Sequence, residues 1–214
     1  MIFPRQGLYA ITQTDNKSIS QILNEVEAAL NAGIAVLQYR DKQPIDALLL
    51  AQQLSQLCRR FAVPLIINDD IELALMVGAD GVHLGQDDGN LHQARAILGP
   101  EAIIGVSCYN DINKARLMAD QGANYVAFGR FYASGTKPLA APAELITLTL
   151  AKQTIKVPIV AIGGILPENG QALIDAGANL LAMVGGIFDH EPETSVHRYL
   201  NTLNFDLDQI EPVQ

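Results

Sequence analysis

The sequence predicts a single α/β domain, a small (β/α)8 TIM barrel with short loops. Short apolar runs alternate with amphipathic stretches along the whole chain, as expected of parallel strands that are covered on both faces by helices. Eight such runs occur, and no linker or low-complexity stretch divides them. We therefore assign one barrel domain to residues 1–214, with a frayed acidic tail at about 205–214.

Continuous runs rich in Val, Ile and Leu identify the strands, and apolar residues at helical spacing identify the helices between them. In chain order, the predicted strands are Leu8–Ile11, Ala35–Tyr39, Leu65–Ile67, Val82–Leu84, Ile103–Val106, Tyr125–Phe128, Ile159–Ile162 and Leu180–Val184. The predicted helices are Ile19–Asn31, Asp46–Phe61, Asp111–Gln121, Ala143–Lys152 and Glu168–Ala176. Ser18 is placed to cap the first helix.

An open, doubly wound sheet is the alternative arrangement of the same elements. Such sheets commonly carry a GxGxxG turn after the first strand, and none follows Leu8–Ile11. The barrel is therefore the preferred prediction. It gathers the carboxyl ends of all the strands around one mouth, where barrel enzymes place their chemistry.

Composition and charge exclude several classes of function. The net charge is −9, so the surface repels polyanions and nucleic acid is not expected as a partner. No apolar run approaches the roughly 20 residues that span a bilayer, and the N-terminus does not resemble a signal peptide. We therefore expect a cytoplasmic protein with no membrane partner. Cys58 and Cys108 lack metal-binding spacing and are expected to be reduced thiols, and His83, inside a strand, is expected to be a hydrogen-bonded core residue.

Two acidic clusters follow neighbouring strands. Asn68-Asp69-Asp70 comes directly after the third strand, and Asp87-Asp88 follows the fourth. Adjacent parallel strands lie about 4.8 Å apart and end at the same edge, so Asp69 and Asp88 are placed to share one hard cation. Two carboxylates without histidine or cysteine suit Mg²⁺ better than zinc. Each aspartate can instead cap a helix, and this is the role we favour for Asp70 and Asp87.

The second strand ends in the run Gln38-Tyr39-Arg40-Asp41-Lys42. Because side chains alternate along a strand, Gln38, Arg40 and Lys42 can point the same way. Two cations at a barrel mouth suit a polyanion such as a diphosphate. The alternative is a salt-bridged strand end, with Asp41 or another carboxylate as the partner.

The later strand ends carry hydroxyl groups, glycines and a lysine. Ser107 follows the fifth strand and could hold a phosphate oxygen or make a local hydrogen bond. The run GRFYASGTK at 129–137 is compatible with an anion-binding loop that includes Lys137, or with an exposed turn. Glycine pairs at 163–164 and 185–186 follow the last two strands, where barrels commonly build phosphate sites.

Together these motifs resemble the thiamine phosphate synthase family of barrel enzymes. The resemblance rests on QYRDK at 38–42, NDD at 68–70, GADGVHLGQDD at 78–88, SGTK at 134–137 and IGGI at 162–165. It implies a transferase that condenses 4-amino-2-methyl-5-hydroxymethylpyrimidine diphosphate with a thiazole phosphate. The implied products are thiamine monophosphate and diphosphate, formed through a dissociative mechanism assisted by Mg²⁺.

The resemblance also implies roles for individual residues. Arg40, Lys42 and Lys137 would be catalytic. The pyrimidine diphosphate would be bound by Gln38, Tyr39, Arg40, Asp41, Lys42, Asn68, Ser107 and Lys137. The thiazole phosphate would be bound by Ser134, Gly135, Thr136, Gly164, Val184 and Gly185. Asp69 and Asp88 would hold Mg²⁺.

Two positions depart from the family pattern. Arg130 stands where members commonly have proline, and it adds either a cation or a surface ion pair. Gly185 stands where many have serine, so a phosphate would contact backbone N–H groups there. The alternatives are a thiazole tautomerase-like relative, which would not need the full diphosphate set, and a non-catalytic barrel that binds a phosphate ligand. The expected partners are two small phosphorylated substrates, and a homo-oligomer is compatible with the sequence.

Overall fold

The barrel is closed by eight parallel strands in a computed structural model that describes residues 1–85, 90–133 and 142–205. Each strand pairs with the next, and β8 pairs with β1. The strands are β1 Gly7–Ile11, β2 Val36–Tyr39, β3 Leu65–Asn68, β4 Gly81–Leu84, β5 Ile103–Tyr109, β6 Tyr125–Gly129, β7 Ile159–Ile162 and β8 Leu180–Met183. The predicted (β/α)8 barrel is confirmed, and the open doubly wound sheet is excluded.

Helices follow the strands and cover the outside of the barrel. They are α1 Ile19–Asn31, α2 Ala47–Arg60, α3 Ile71–Val77, α4 Leu91–Leu98, α5 Ile112–Asp120, α6 Leu145–Thr154, α7 Pro167–Ala176, α8 Gly185–Phe188 and α9 Pro192–Thr202. The sequence predicted α1, α2, α5, α6 and α7 with small differences at their ends. Within the described ranges, no helix has both the length and the apolar character needed to cross a membrane.

Local sequence explains where several helices begin. Ser18 caps α1 through a capping box, as predicted. Asp70 caps α3 by accepting a hydrogen bond from a first-turn N–H at 2.8 Å, which confirms the capping role expected for it. Asn90 caps α4, whereas Asp87 lies outside the described residues. Since Asp70 is used in the cap, its neighbour Asp69 is the aspartate of this pair that lines the barrel mouth.

Two strand ends differ from the prediction. β5 continues to Tyr109, with an irregularity between Ser107 and Tyr109. Such a bulge adds one residue to the strand; Cys108 packs in the outer core while Ser107 lines the interior cavity. β8 ends at Met183 instead of Val184, because Val184 leaves the extended conformation (φ −104°, ψ −86°) and becomes the N-cap of α8.

Apolar side chains form one core between the strands and the helices and a second core inside the barrel. The inner core is built mainly from Val36, Ile66, Ile103, Val160 and Leu180. Phe3 packs at its base, stacked on the ring of Tyr125 with the ring centroids 4.1 Å apart. This apolar base leaves the carboxyl ends of the strands as the polar end of the barrel.

Cys58 and Cys108 are free thiols, and both are buried in the outer core. Burial raises the pKa of each thiol to about 12. Both groups therefore stay protonated at neutral pH, in agreement with the reduced thiols expected from the sequence.

Candidate active site

A cavity of about 830 Å³ opens at the carboxyl ends of the strands, a volume suited to small-molecule ligands. Of the residues predicted from the sequence, those that line it are Gln38, Arg40, Lys42, Asn68, Asp69, Ser107, Gly164, Val184 and Gly185. The side chains of Tyr39 and Asp41 do not belong to the lining. Asp88, Ser134, Gly135, Thr136 and Lys137 lie outside the described residues.

β2 places three polar side chains in the cavity. Gln38 is buried inside the barrel, and Arg40 and Lys42 extend the same face beyond the strand. The alternate residues face elsewhere: Tyr39 packs in the outer core, and the Asp41 carboxylate accepts a backbone N–H two residues further on at 2.9 Å. The alternation read from the sequence therefore gives the observed arrangement, and any contact of Tyr39 with a ligand would have to involve its backbone.

Thr12, at the end of β1, holds the backbone of Arg40 in place. Its hydroxyl accepts from Arg40 N at 2.9 Å and donates to the Arg40 carbonyl at 2.9 Å. Thr12 is itself buried. Among the described residues, no carboxylate lies within 4.0 Å of the Arg40 guanidinium, so Asp41 does not pair with it. Sequence reasoning missed Thr12, because a threonine at a strand end carries no signal of a cross-strand role.

β3 brings Asn68 and Asp69 to the mouth. Asn68 Nδ2 donates to Asp69 Oδ2 at 2.5 Å, and Asp69 N donates to the His83 carbonyl on β4 at 2.8 Å. Asp69 has a φ of 65°, in the left-handed region that Asp and Asn adopt more readily than most residues. No cluster of three or more metal-ligating side chains occurs in the described ranges, and Asp88 lies outside them.

A line of polar side chains crosses the barrel interior along the wall of the cavity. Gln38 Nε2 donates to the Tyr9 hydroxyl at 2.9 Å, and that hydroxyl lies 2.7 Å from the hydroxyl of Tyr125. The Tyr125 hydroxyl lies 2.9 Å from His83 Nδ1, and His83 Nε2 lies 2.8 Å from Ser107 Oγ. His83 is thus a hydrogen-bonded interior residue, as expected. We call these five residues the interior chain.

The two tyrosines of the interior chain were not predicted. Tyr9 and Tyr125 are separated by 116 positions along the sequence, and each was counted only as part of an apolar strand. Gly105 was the available signal: a Cβ at this position would overlap the ring of Tyr125, and a glycine inside a strand often marks such a close approach.

The β7 end of the mouth is built from backbone. Gly163 and Gly164 have φ values of 109° and 61°, and a Cβ on either would overlap the segment that follows β6. Tyr132 N donates to the Gly163 carbonyl at 3.0 Å. The strand end and this segment therefore approach each other closely, and only glycine fits both the space and the dihedral angles.

The β8 end combines a glycine with a carboxylate. Gly185 is the first residue of α8, and the exposed Asp189 carboxylate occupies the space that a Cβ on Gly185 would need. Asp189 was not predicted as a site residue. Its proximity depends on one turn of a short helix that the sequence analysis did not find.

The described lining of the cavity is not acidic, although the protein as a whole is. Within the described ranges, the cationic side chains of the lining are Arg40, Lys42, Arg130 and Arg198, and the aspartates are Asp15, Asp69 and Asp189. The local balance contrasts with the net charge of −9 for the chain. Anionic ligands are therefore better tolerated at the mouth than elsewhere on the surface.

The sequence and the fold both have known relatives. A sequence model described as thiamine monophosphate synthase matches residues 8–187. Thiamine-phosphate synthase of Thiobacillus denitrificans is 51% identical over 185 residues, covering 86% of this chain and 87% of the relative. The corresponding protein of Marinobacter nauticus is 52% identical over 190 residues, covering 88% and 85%.

Solved structures give the same barrel. The structure of thiamine phosphate pyrophosphorylase from Pyrococcus furiosus matches with a TM-score of 0.83 and 27% identity, covering 92% of this chain and 95% of that one. (S)-3-O-geranylgeranylglyceryl phosphate synthase from Thermoplasma acidophilum matches with a TM-score of 0.67 and 18% identity, covering 92% and 93%. The second likeness shows the fold alone.

Proposed function

The chain belongs to the thiamine monophosphate synthase family, and we propose that its barrel mouth joins the two substrates by a dissociative, magnesium-assisted route. The enzyme is a transferase of thiamine biosynthesis. One observation carries the proposed route: Gln38, Arg40 and Lys42 line the same cavity as the glycines that follow β7 and β8. Cationic side chains on one side and glycine backbone on the other suit two phosphorylated molecules held side by side.

The β2–β5 side of the mouth binds the pyrimidine diphosphate. Arg40 supplies a planar fork of donors and Lys42 a compact charge. Asn68, Ser107 and, by family resemblance, Lys137 add further donors around the leaving group. Negative charge on the diphosphate grows as it departs, so these donors stabilise the transition state more than the bound substrate.

The reaction breaks one bond and forms another. The bond from the pyrimidine methylene carbon to a diphosphate oxygen breaks, and its electron pair leaves with the diphosphate. The ring amino group stabilises the resulting cation, and the thiazole nitrogen attacks it with its own lone pair. No proton has to leave the nucleophile, so no general base is required. In agreement, both ring nitrogens of His83 are hydrogen bonded to Tyr125 and Ser107.

The β7–β8 side binds the thiazole phosphate. Gly164, Val184 and Gly185 line the cavity here, and glycine lets a phosphate approach backbone N–H groups closely. Barrels often build phosphate sites from these two loops with a short extra helix, the position that α8 occupies. By family resemblance, the serine, glycine and threonine at 134–136 complete this subsite.

The donors at the end of β3 fit Mg²⁺. Mg²⁺ favours oxygen ligands and usually takes one or two carboxylates together with water and substrate phosphates. Asp69 and, by family resemblance, Asp88 would hold the ion, and Asn68 orients the Asp69 carboxylate through its 2.5 Å hydrogen bond. When bound, the ion would neutralise charge on the departing diphosphate.

Incubation of the protein with both substrates and Mg²⁺ tests this proposal. The expected products are thiamine monophosphate and diphosphate in equal amounts. In the cell, we expect the reaction to take place in the cytoplasm, as the sequence predicts. Conversion of the thiazole phosphate alone would support a tautomerase-like relative instead. Binding without any product would support a non-catalytic barrel, and either result would contradict the proposal.

A further inference from the structure

The hydrogen bonds of the interior chain have a direction, the order in which each group donates to the next. We propose that they run from Gln38 to Ser107, so that Gln38 presents a carbonyl acceptor, and Ser107 a hydroxyl donor, to the pyrimidine diphosphate. Within the interior chain, Tyr9 and Tyr125 are then positioning residues that act through Gln38 and through His83 and Ser107. The identity of the ligand rests on the proposed function. The direction of the hydrogen bonds is a property of the fold and can be measured without substrate.

The direction begins at Gln38. Its Nε2 donates to the Tyr9 hydroxyl, so the Tyr9 oxygen acts as an acceptor on that side. Tyr9 has one hydroxyl proton to donate and is 1% exposed. Among the described residues, its remaining hydrogen-bond partner is the Tyr125 hydroxyl. A buried hydroxyl proton without an acceptor is costly, so Tyr9 donates to Tyr125.

The same reasoning continues through Tyr125. Its oxygen accepts from Tyr9, and its single proton is therefore directed at His83 Nδ1, 2.9 Å away. Burial raises the pKa of both tyrosine hydroxyls well above 10, so both keep their protons at neutral pH. His83 Nδ1 must then be unprotonated. The neutral ring carries its proton on Nε2 and donates it to Ser107 Oγ at 2.8 Å.

This direction defines which end of the interior chain offers a hydrogen-bond donor to the cavity and which offers an acceptor. Ser107 Oγ accepts from His83, which leaves its own proton to be donated into the cavity. Gln38 uses its nitrogen toward Tyr9, which leaves Oε1 as the acceptor. The pyrimidine substrate is complementary, since its ring amino group donates hydrogen bonds and its diphosphate accepts them.

The opposite direction would satisfy the same groups but would suit this ligand poorly. The Gln38 amide would turn over, and Ser107 would donate to His83. The mouth would then meet the amino group with an amide N–H and the diphosphate with a serine lone pair. A mixed arrangement would direct two protons, or two lone pairs, at each other inside the barrel, so the interior chain is expected to switch as a unit.

Nitrogen-15 NMR of the histidine side chains measures the direction. The chain has four histidines, and the His83 signals are those lost in His83→Gln. We expect a neutral ring protonated on Nε2, both in the free protein and with inorganic diphosphate and Mg²⁺. A ring protonated on Nδ1, or an equal mixture of both forms, would overturn the proposal whether or not the protein synthesises thiamine phosphate.

Two variants test the two ends of the interior chain separately. Tyr9→Phe removes the acceptor of Gln38 but leaves Tyr125 free to donate to His83. We expect the KM for the pyrimidine diphosphate to rise about tenfold, the equivalent of one hydrogen bond, with an unchanged His83 tautomer. Tyr125→Phe leaves Tyr9 with Gln38 as its remaining acceptor, which turns the amide over. It should therefore produce mixed His83 tautomers and a larger rise in KM.

Tyr199→Phe is the matched control. Tyr199 is also buried, and its hydroxyl donates to the Ile165 carbonyl at 2.8 Å, outside the interior chain. Its loss should lower the melting temperature by an amount similar to that for Tyr9→Phe and leave the His83 tautomer unchanged. If Tyr9→Phe and Tyr125→Phe lowered only the melting temperature, with wild-type KM values and tautomer, both tyrosines would be structural and the proposal would fail.

Discussion

The two sides of the barrel mouth offer a phosphate group different kinds of contact. The β2–β5 side presents charged and hydrogen-bonding side chains, and Gln38, Arg40 and Ser107 are hydrogen bonded to residues of a neighbouring strand. The β7–β8 side presents main chain. After β7, a Cβ on Gly163 or Gly164 would displace the segment that follows β6, whereas after β8 a Cβ on Gly185 would meet only the Asp189 side chain. The first side should therefore be sensitive to loss of charge, and the β7 end of the second side to gain of a Cβ.

The difference matches the chemistry proposed for each side. The departing diphosphate gains negative charge, so its site benefits from cations whose interaction strengthens in the transition state. The thiazole phosphate remains unchanged during the reaction, so its site needs only to bind and to orient. Loss of a charged side chain on the first side should then lower kcat, and a Cβ added after β7 should raise the KM for the thiazole phosphate.

The largest effect is expected from loss of Asp69, the proposed metal ligand at the end of β3. Asp69→Asn keeps a residue that tolerates the left-handed backbone but removes the carboxylate. We expect turnover to fall about 1,000-fold, since a bound metal contributes several kcal/mol to stabilising developing charge. Steady-state rates across an Mg²⁺ titration measure this effect, and chelation of Mg²⁺ should have the same effect on the wild type.

Asp70→Asn is the control for Asp69→Asn. It changes the adjacent aspartate, which caps α3, to another good capping residue. Its turnover and Mg²⁺ dependence should match those of the wild type. Full activity in chelator, or equal losses in the two variants, would contradict the assignment of Asp69 to the metal.

Arg40→Ala should have the next largest effect. Loss of one preorganised donor to a developing anion costs roughly 3–4 kcal/mol of transition-state stabilisation, so kcat should fall together with affinity. Arg40→Lys should recover only part of the rate because the planar fork is lost. The melting temperature should change little, since no described carboxylate pairs with this guanidinium. A normal single-turnover rate in a less stable protein would exclude the catalytic role.

The sequence made the β2–β5 side partly predictable, for a physical reason. Strand alternation is a local property, so the shared direction of Gln38, Arg40 and Lys42 could be read from consecutive residues. The bond between Thr12 and Arg40, and that between Tyr9 and Tyr125, depend on which strands become neighbours when the barrel closes. Strand order and register set these pairs, and a single strand's pattern contains neither.

On the β7–β8 side, the glycines at the strand ends were predicted, but the short helix beside them was not. The glycine pairs were visible in the sequence and were correctly placed at strand ends. The short helix α8 was not predicted, because four residues, Gly185–Phe188, are too few to show a helical period. The position of the Asp189 carboxylate beside Gly185 follows from that helix and was therefore missed with it.

Gly164→Ala tests the backbone side of the comparison. The left-handed conformation costs a non-glycine residue about 1–2 kcal/mol, and the added Cβ would overlap the backbone of Tyr132 and Ala133. We expect the KM for the thiazole phosphate to rise about tenfold while the KM for the pyrimidine diphosphate stays at its wild-type value. Initial rates with each substrate varied in turn give both constants.

Gly122→Ala controls for the strain alone. Gly122 has a φ of 96° and open space where a Cβ would lie, and it does not line the cavity. The substitution should lower the melting temperature without changing either KM. Equal rises in both KM values for Gly164→Ala would mean that the two sides of the mouth do not work separately.

The smallest effect is expected from restoring the hydroxyl that the family commonly has at position 185. Gly185 has no left-handed strain, and a Cβ there would meet only the end of the exposed Asp189 side chain, which can turn away. Gly185→Ser should therefore keep the melting temperature, displace a carboxylate from the phosphate subsite and add a donor. We expect the KM for the thiazole phosphate to fall about threefold, less than the effect of a buried hydrogen bond because the donor is exposed.

Asp189→Asn separates the two causes, since it removes the charge without adding the serine hydroxyl. Equal falls in KM for both variants would assign the effect to charge, whereas an unchanged KM in both would show that the thiazole phosphate does not contact this end of β8.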